Sequence, residues 1–101
     1  MLQSKLFPKT SKLAPKDAVS ASHKFLLQAG YADMLQAGVY TYLPLGWRVI
    51  TKISNIIREE MNREGAQELL MPALQPKGIW EESGRWETLK EIMYQFQDAS
   101  Q

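Results

Sequence analysis

The chain has 101 residues, of which 45% are hydrophobic and 10% aromatic; this fits one small globular domain and excludes a wholly disordered chain. Twelve Lys and Arg against eleven Asp and Glu give a net charge of +1, so the overall charge does not indicate a polyanionic partner. Cysteine is absent and His23 is the only histidine, which excludes disulfides, thiolate zinc sites and His-rich metal sites, and we expect no catalytic residue and no metal site in this chain.

The first sixteen residues form a basic arm. Lys5, Lys9, Lys12 and Lys16 all precede the first acidic residue, Asp17. Lysines and prolines interrupt this start, so it lacks the apolar core of a signal peptide, and no apolar run approaches the roughly 18 residues of a membrane span. We therefore expect a soluble, cytoplasmic protein that does not contact membranes, with an arm that is either solvated or faces phosphate groups.

A first helix is predicted over residues 18–29. Asp17 is a good N-cap residue, apolar residues follow at helical spacing, and Gly30 provides a C-terminal stop. His23 lies within this helix, and we assign it a surface or packing role and no chemistry.

Residues 34–45 are rich in β-branched and aromatic side chains, which indicates a short hairpin or a pair of irregular strands. Gly38 is the expected turn or bulge, and Pro44 ends the ladder because proline cannot donate to it. The spacing leaves two roles open for the side chains near its end, lining a pocket or packing against the next helix: Tyr40, Tyr42 and Leu43.

Residues 47–64 have the strongest helical pattern of the chain. Apolar residues recur at helical spacing along one face: Val49, Ile50, Ile53, Ile56, Ile57 and Met61. The opposite face is charged, so we expect the helix to be packed on one side. Gly65 follows where a left-handed cap is least costly.

Two further strands are predicted. Residues 67–71 contain an unbroken apolar run, and Pro72 ends it. Alternation from Ile92 onward indicates a second strand, and residues 98–101 resemble the turn of a hairpin whose other strand lies outside the chain. The sequence therefore predicts an α+β fold, an antiparallel sheet with flanking helices, that is one part of a larger sheet.

Between these strands, Pro76 starts a short helix around residues 79–82 that breaks at Ser83-Gly84. Arg85 and Trp86 follow the break. A loop arginine beside an aromatic ring can pair with phosphate and stack on a base, so this pair is a candidate rim for a substrate or a nucleic acid. The alternative is packing of the tryptophans on the long helix.

The chain contains no phosphate-binding loop, no Rossmann glycine motif and no nucleophile elbow. Its distinctive feature is an ordered set of segments: GVYTYLPLG, the amphipathic helix, REGAQELLMPALQP and WEESGRWE. Together they resemble the N-terminus of bacterial-type prolyl-tRNA synthetases, which are class II aminoacyl-tRNA synthetases. The resemblance covers essentially the whole chain.

The resemblance implies that residues 17–101 are the first, incomplete part of a class II catalytic domain, preceded by the basic arm at residues 1–16. Class II motif 1, which forms the subunit interface of a homodimer, would occupy about residues 47–74. By this resemblance Arg58, Gly65 and Pro72 are the interface residues.

The same resemblance implies that the intact protein uses ATP and Mg²⁺ to activate L-proline and transfers it to tRNA(Pro). The family's ATP-binding segments, a Thr-His-Glu-Glu stretch and the arginines of motifs 2 and 3, do not occur in this sequence. We therefore expect this stretch to supply scaffold and interface, to bind no cofactor and to be inactive alone. The alternative is a small non-catalytic interaction or RNA-binding module.

Overall fold

The computed structural model describes residues 2–99, which divide into two compact units with the boundary between Glu68 and Leu69. The first unit contains a 3₁₀ turn (Gln3–Lys5), helix α1 (Ala21–Gln28), strands β1 (Ala32–Gln36) and β2 (Val39–Tyr42), and helix α2 (Pro44–Arg63). The second contains α3 (Lys77–Glu82) and α4 (Trp86–Leu89). Helices beside a two-stranded antiparallel sheet confirm the predicted α+β class.

Helix α1 begins later than the sequence predicts. Its N-cap is Ser20, whose Oγ accepts a hydrogen bond from the backbone N–H of His23 at 3.2 Å. The predicted cap, Asp17, lies instead in a turn closed by a hydrogen bond from the N–H of Ala18 to the carbonyl of Pro15 at 3.0 Å. Both residue types suit a cap, and this turn decides between them, since it carries the chain through Asp17 before the helix can start.

The predicted hairpin is confirmed, with strands that start slightly earlier. β1 pairs with β2 in antiparallel register, Ala32 opposite Tyr42 and Gln36 opposite Val39, and the register shifts between Met34 and Gln36. Gly38 lies in the connecting turn, as predicted.

Helix α2 starts at Pro44, three residues before the predicted start. Proline suits this first helical position because its missing N–H would have no partner there. The N–H of Leu43 donates to the carbonyl of Tyr31 at 3.0 Å, and buried Gly46 lies so close that a Cβ on it would be 2.0 Å from the same oxygen. Only glycine permits this approach, which fixes the start of α2 against the segment before β1.

The end of α2 agrees with the prediction. Gly65 has φ +83°, and its N–H donates to the carbonyl of Asn62 while the N–H of Ala66 donates to that of Met61, both at 3.0 Å. This pair of bonds is the Schellman arrangement, which satisfies carbonyls left free at a helix C-terminus.

Two predicted strands are absent from residues 2–99. Residues 67–71 are non-regular and exposed, with Leu70 98% exposed, and the segment after Ile92 is also without strand pairing as far as residue 99. A strand needs a partner for its backbone hydrogen bonds, and the described chain pairs only β1 with β2. The predicted turn at 98–101 lies partly outside the described residues.

The apolar face of α2 is not packed, contrary to the expectation from its periodicity. Ile53, Ile56, Ile57 and Met61 are between 52% and 61% exposed. Among residues 2–99 the one buried hydrophobic side chain is Ala18, which is 3% exposed. The described residues thus make local contacts but do not enclose a hydrophobic core.

Candidate interface helix and aromatic clefts

The C-terminal half of α2 combines an apolar face with an ordered polar edge. The Arg58 guanidinium binds Glu68 through two hydrogen bonds, Nε to Oε2 at 2.7 Å and Nη2 to Oε1 at 3.1 Å. A third donor, Nη1, reaches Oδ1 of Asn55 at 2.6 Å. This fork ties residue 68, just beyond the Gly65 cap, back to the helix.

The electrostatics of this pair follow from that geometry. The hydrogen bonds from Arg58, and secondly its positive charge, lower the pKa of Glu68, and the same contacts raise the pKa of Arg58. Both side chains are exposed, so the pair adds little stability, and its effect is to set the direction of the chain after α2.

The structure places the three predicted interface residues as follows. Arg58 lies on exposed helix surface in the fork with Glu68, and Gly65 forms the helix cap. Pro72 lies in the exposed non-regular segment and does not end a strand, so the predicted strand-ending role is wrong in this structure. Arg58 and Gly65 belong to the first unit and Pro72 to the second.

The predicted rim residues lie at the junction of α3 and α4. Trp86 lines a shallow cleft of about 240 Å³ together with Glu81, Gly84 and Glu87. The cation against its ring is Lys77, whose Nζ is 4.9 Å from the ring centroid, and Lys77 also pairs with Glu81 at 2.8 Å. Arg85 is exposed and makes no ion pair among residues 2–99.

Sequence reasoning missed the role of Lys77. The signal that could have found it is its position: it is four residues before Glu81 on one helix face, and the Ser83-Gly84 break turns the chain back before Trp86. The aromatic ring therefore has a cationic partner from α3, a contact that the sequence analysis did not predict.

A second cleft lies between α1 and the hairpin. It has a volume of about 280 Å³ and is lined by Ser20, Ser22, His23, Leu26, Leu27, Ala32, Tyr40 and Tyr42. The Tyr40 hydroxyl and His23 Nε2 are 3.1 Å apart, and the two rings meet edge-to-face at 5.5 Å. Of the three side chains for which pocket and packing roles were left open, Tyr40 and Tyr42 line this open cleft and Leu43 does not. His23 packs against Tyr40, in line with the packing role expected for it.

Neither cleft has the donors of a metal site. Residues 2–99 contain no group of three or more His, Asp or Glu side chains arranged to hold a metal ion. In the same range, no helix is long and apolar enough to cross a membrane.

Comparison with curated proteins gives matches over the whole chain. It is 54% identical over 95 residues to a proline–tRNA ligase of Fusobacterium nucleatum, a match that covers 94% of this chain and 17% of the relative. Proline–tRNA ligases of Caldicellulosiruptor saccharolyticus and Dechloromonas aromatica are 50% and 52% identical over 101 residues, which is 100% of this chain and 18% of each relative.

No family model matches the chain. The chain spans less than one fifth of the length of these relatives, and what it matches is their N-terminal segment. The resemblance predicted from the ordered segments is therefore confirmed.

Proposed function

We propose that this chain, similar throughout to the N-terminal segment of bacterial proline–tRNA ligases, serves as that segment in a protein that ligates L-proline to tRNA(Pro) with ATP. The observation that carries the proposal is identity of about half of all residues over the full chain to relatives with that printed activity. Identity at this level across every element supports a common fold for the aligned segment.

Within such a protein we assign the chain a structural role, as the first part of a class II catalytic domain. The exposed apolar face of α2 supports this assignment, because an amphipathic helix of 20 residues is stabilised mainly by what covers its apolar side. More than four fifths of each relative lies outside the matched segment and would supply the cover.

The interface role of motif 1 is part of the same proposal. Arg58, Gly65 and Pro72 would lie at a homodimer interface, with the fork between Arg58 and Glu68 and the Gly65 cap setting the path of the chain from α2 toward the second subunit. Arg85 and Trp86 would form part of a rim facing substrate or tRNA, supported by an exposed guanidinium that adjoins a tryptophan in sequence and has no ion pair among residues 2–99.

Activation of proline by ATP needs charge neutralisation at the reacting phosphate, which Mg²⁺ and arginines can supply. The described residues do not offer a carboxylate set for that ion, and we propose that other parts of the protein hold Mg²⁺ and the reacting phosphates. We place the intact protein in the cytoplasm.

The test is proline-dependent ATP–pyrophosphate exchange, followed by aminoacylation of a tRNA(Pro) transcript, by the full-length protein that carries this segment. We expect exchange with L-proline that exceeds exchange with L-alanine as the control amino acid. If the protein lacks proline-dependent exchange and the chain is instead a monodisperse monomer that melts cooperatively, the proposal is wrong and the interaction-module alternative stands.

A further inference from the structure

The basic arm, residues 1–16, is strongly positive although the net charge of the whole chain is only +1. Residues 1–16 contain four lysines and no acid, which leaves eight basic against eleven acidic side chains for the rest. All four lysines are exposed, and across residues 2–99 the ion pairs involve only Arg58, Arg63, Lys77 and Lys90. The arm thus holds half of the eight basic side chains that lack an acidic partner in this range.

The middle of the arm is held to the end of α1 by one backbone and one side-chain hydrogen bond. The N–H of Ser11 donates to the carbonyl of Gln28 at 2.8 Å, and Nε2 of Gln28 donates to the carbonyl of Lys12 at 2.9 Å. The backbone of Lys9 lies against Gly30, with its carbonyl oxygen 3.4 Å from where a Cβ on Gly30 would stand. Lys9 and Lys12 are therefore presented from a held backbone, which reduces the ordering cost of binding.

We propose that the basic arm binds the phosphate backbone of RNA, with Lys5, Lys9, Lys12 and Lys16 as the contacting side chains. The inference rests on the proposed function for the choice of tRNA as the RNA. Lysine ammonium groups on flexible stems neutralise phosphates as point charges and do not read bases, so binding is independent of sequence.

The backbone geometry favours RNA over a lipid surface. Residues 6–20 contain no helix, and Pro8 and Pro15 interrupt the arm, so it does not present the single apolar face with which a peripheral helix enters a membrane. Its irregular backbone leaves N–H and C=O groups that would be costly in lipid but can bond phosphate and ribose hydroxyls. Phe7, 75% exposed between two of the lysines, can stack on an unpaired base.

The test measures the affinity of the full-length protein that carries this segment for a fluorescently labelled tRNA(Pro) transcript, and for an unrelated transcript of equal length, by anisotropy at a series of salt concentrations. Four phosphate contacts by the arm contribute about −3 to −4 to the slope of log K against log salt. The triple variant Lys5→Gln, Lys9→Gln, Lys12→Gln should reduce the slope by about three, roughly one for each lysine removed.

The matched control is the triple variant Lys24→Gln, Arg48→Gln, Lys52→Gln, which removes the same charge from α1 and α2. Among residues 2–99 these side chains also lack ion pairs, and we expect the slope to stay near the wild-type value. Circular dichroism spectra that match the wild type establish that both variants are folded.

The inference is overturned if the arm variant binds both transcripts as the wild type does, if the control lowers the slope equally, or if the arm lysines govern binding to phosphatidylserine vesicles and not to RNA. These readouts do not depend on ligase activity. Arm-dependent binding of both transcripts in a protein without proline-dependent exchange would refute the proposed function and leave the arm as a general RNA-binding element.

Discussion

Substituting Gly46 by alanine tests how the start of α2 is held. A Cβ at this position would lie 2.0 Å from the carbonyl oxygen of Tyr31 and 2.9 Å from its carbonyl carbon, whereas ordinary contacts begin at 3.4 Å. The two backbone segments must therefore separate by about 1.4 Å. Neither can yield by a side-chain rotation, because the contact is made by the backbone of Tyr31.

The expected cost follows from this geometry. Overpacking of a close contact costs about 1–3 kcal/mol, and loss of the hydrogen bond from Leu43 to Tyr31 adds on the order of 1 kcal/mol. The better helix propensity of alanine offsets about 1 kcal/mol. We expect a net loss of about 1–3 kcal/mol in the free energy of unfolding, and therefore a lower Tm.

The assay is thermal unfolding followed by circular dichroism at 222 nm. The control is Gly78→Ala in α3, where a Cβ has nothing within 4 Å and φ is not positive, so the same exchange should raise stability by up to about 1 kcal/mol. A Gly46→Ala variant as stable as the wild type would refute the argument that α2 is anchored at this contact.

The 101-residue chain alone should give no proline-dependent ATP–pyrophosphate exchange above background, because it lacks the family's ATP-binding arginines; clear exchange would contradict this. Because the α2 face is exposed, the wild-type chain should self-associate in sedimentation velocity, and Ile57→Glu should shift it toward monomer; a monodisperse wild-type monomer would contradict this. In the full-length protein, Pro72→Ala should weaken the dimer and lower kcat/KM for tRNA together, by a loss on the order of 1–3 kcal/mol; a variant with both unchanged would remove Pro72 from the interface. Because the pKa of Glu68 is lowered, its ionised form stabilises the fold fully above the ordinary pKa of 4.5, and this contribution is lost as pH falls through the lowered value. Glu68→Gln should remove this part of the dependence of stability on pH. Identical profiles of stability against pH for the variant and the wild type would show that the fork to Arg58 has no such effect.

Local signals in the sequence predict the local structure well. The apolar period predicts α2, Gly65 marks its end, and Pro76 and Gly84 bracket α3, because each depends on neighbours within about four residues. The misplaced cap at Asp17 shows the limit of this reasoning. Asp17 and Ser20 are both suitable cap residues, and cap propensity alone does not choose between them. The turn that begins at Pro15 decides for Ser20.

Features that depend on distant partners could not be predicted from the residues alone. The bond between His23 and Tyr40 joins positions 17 apart, and the contact between Lys77 and Trp86 joins two helices across a break. No periodic pattern in the sequence indicates either contact. The prediction of a strand at 67–71 was wrong for the same reason. Its apolar run is typical of a buried strand but does not specify the neighbouring strand with which it would pair.

The apolar face of α2 is exposed, whereas its sequence pattern predicts a packed face, and this difference is informative. Helix α2 is amphipathic, with most of its apolar side chains on one side, yet residues 2–99 leave that side open. Amphipathic helices in proteins gain most of their stability from burial of such a face, so the pattern favours a surface that is covered in the intact protein. The exposed, unpaired apolar run at 69–71 has the same character, and both fall within the segment of about 47–74 that the family resemblance assigns to motif 1. Sequence similarity and incomplete packing, two independent observations, therefore support one proposal: this segment is stabilised by parts of a larger protein.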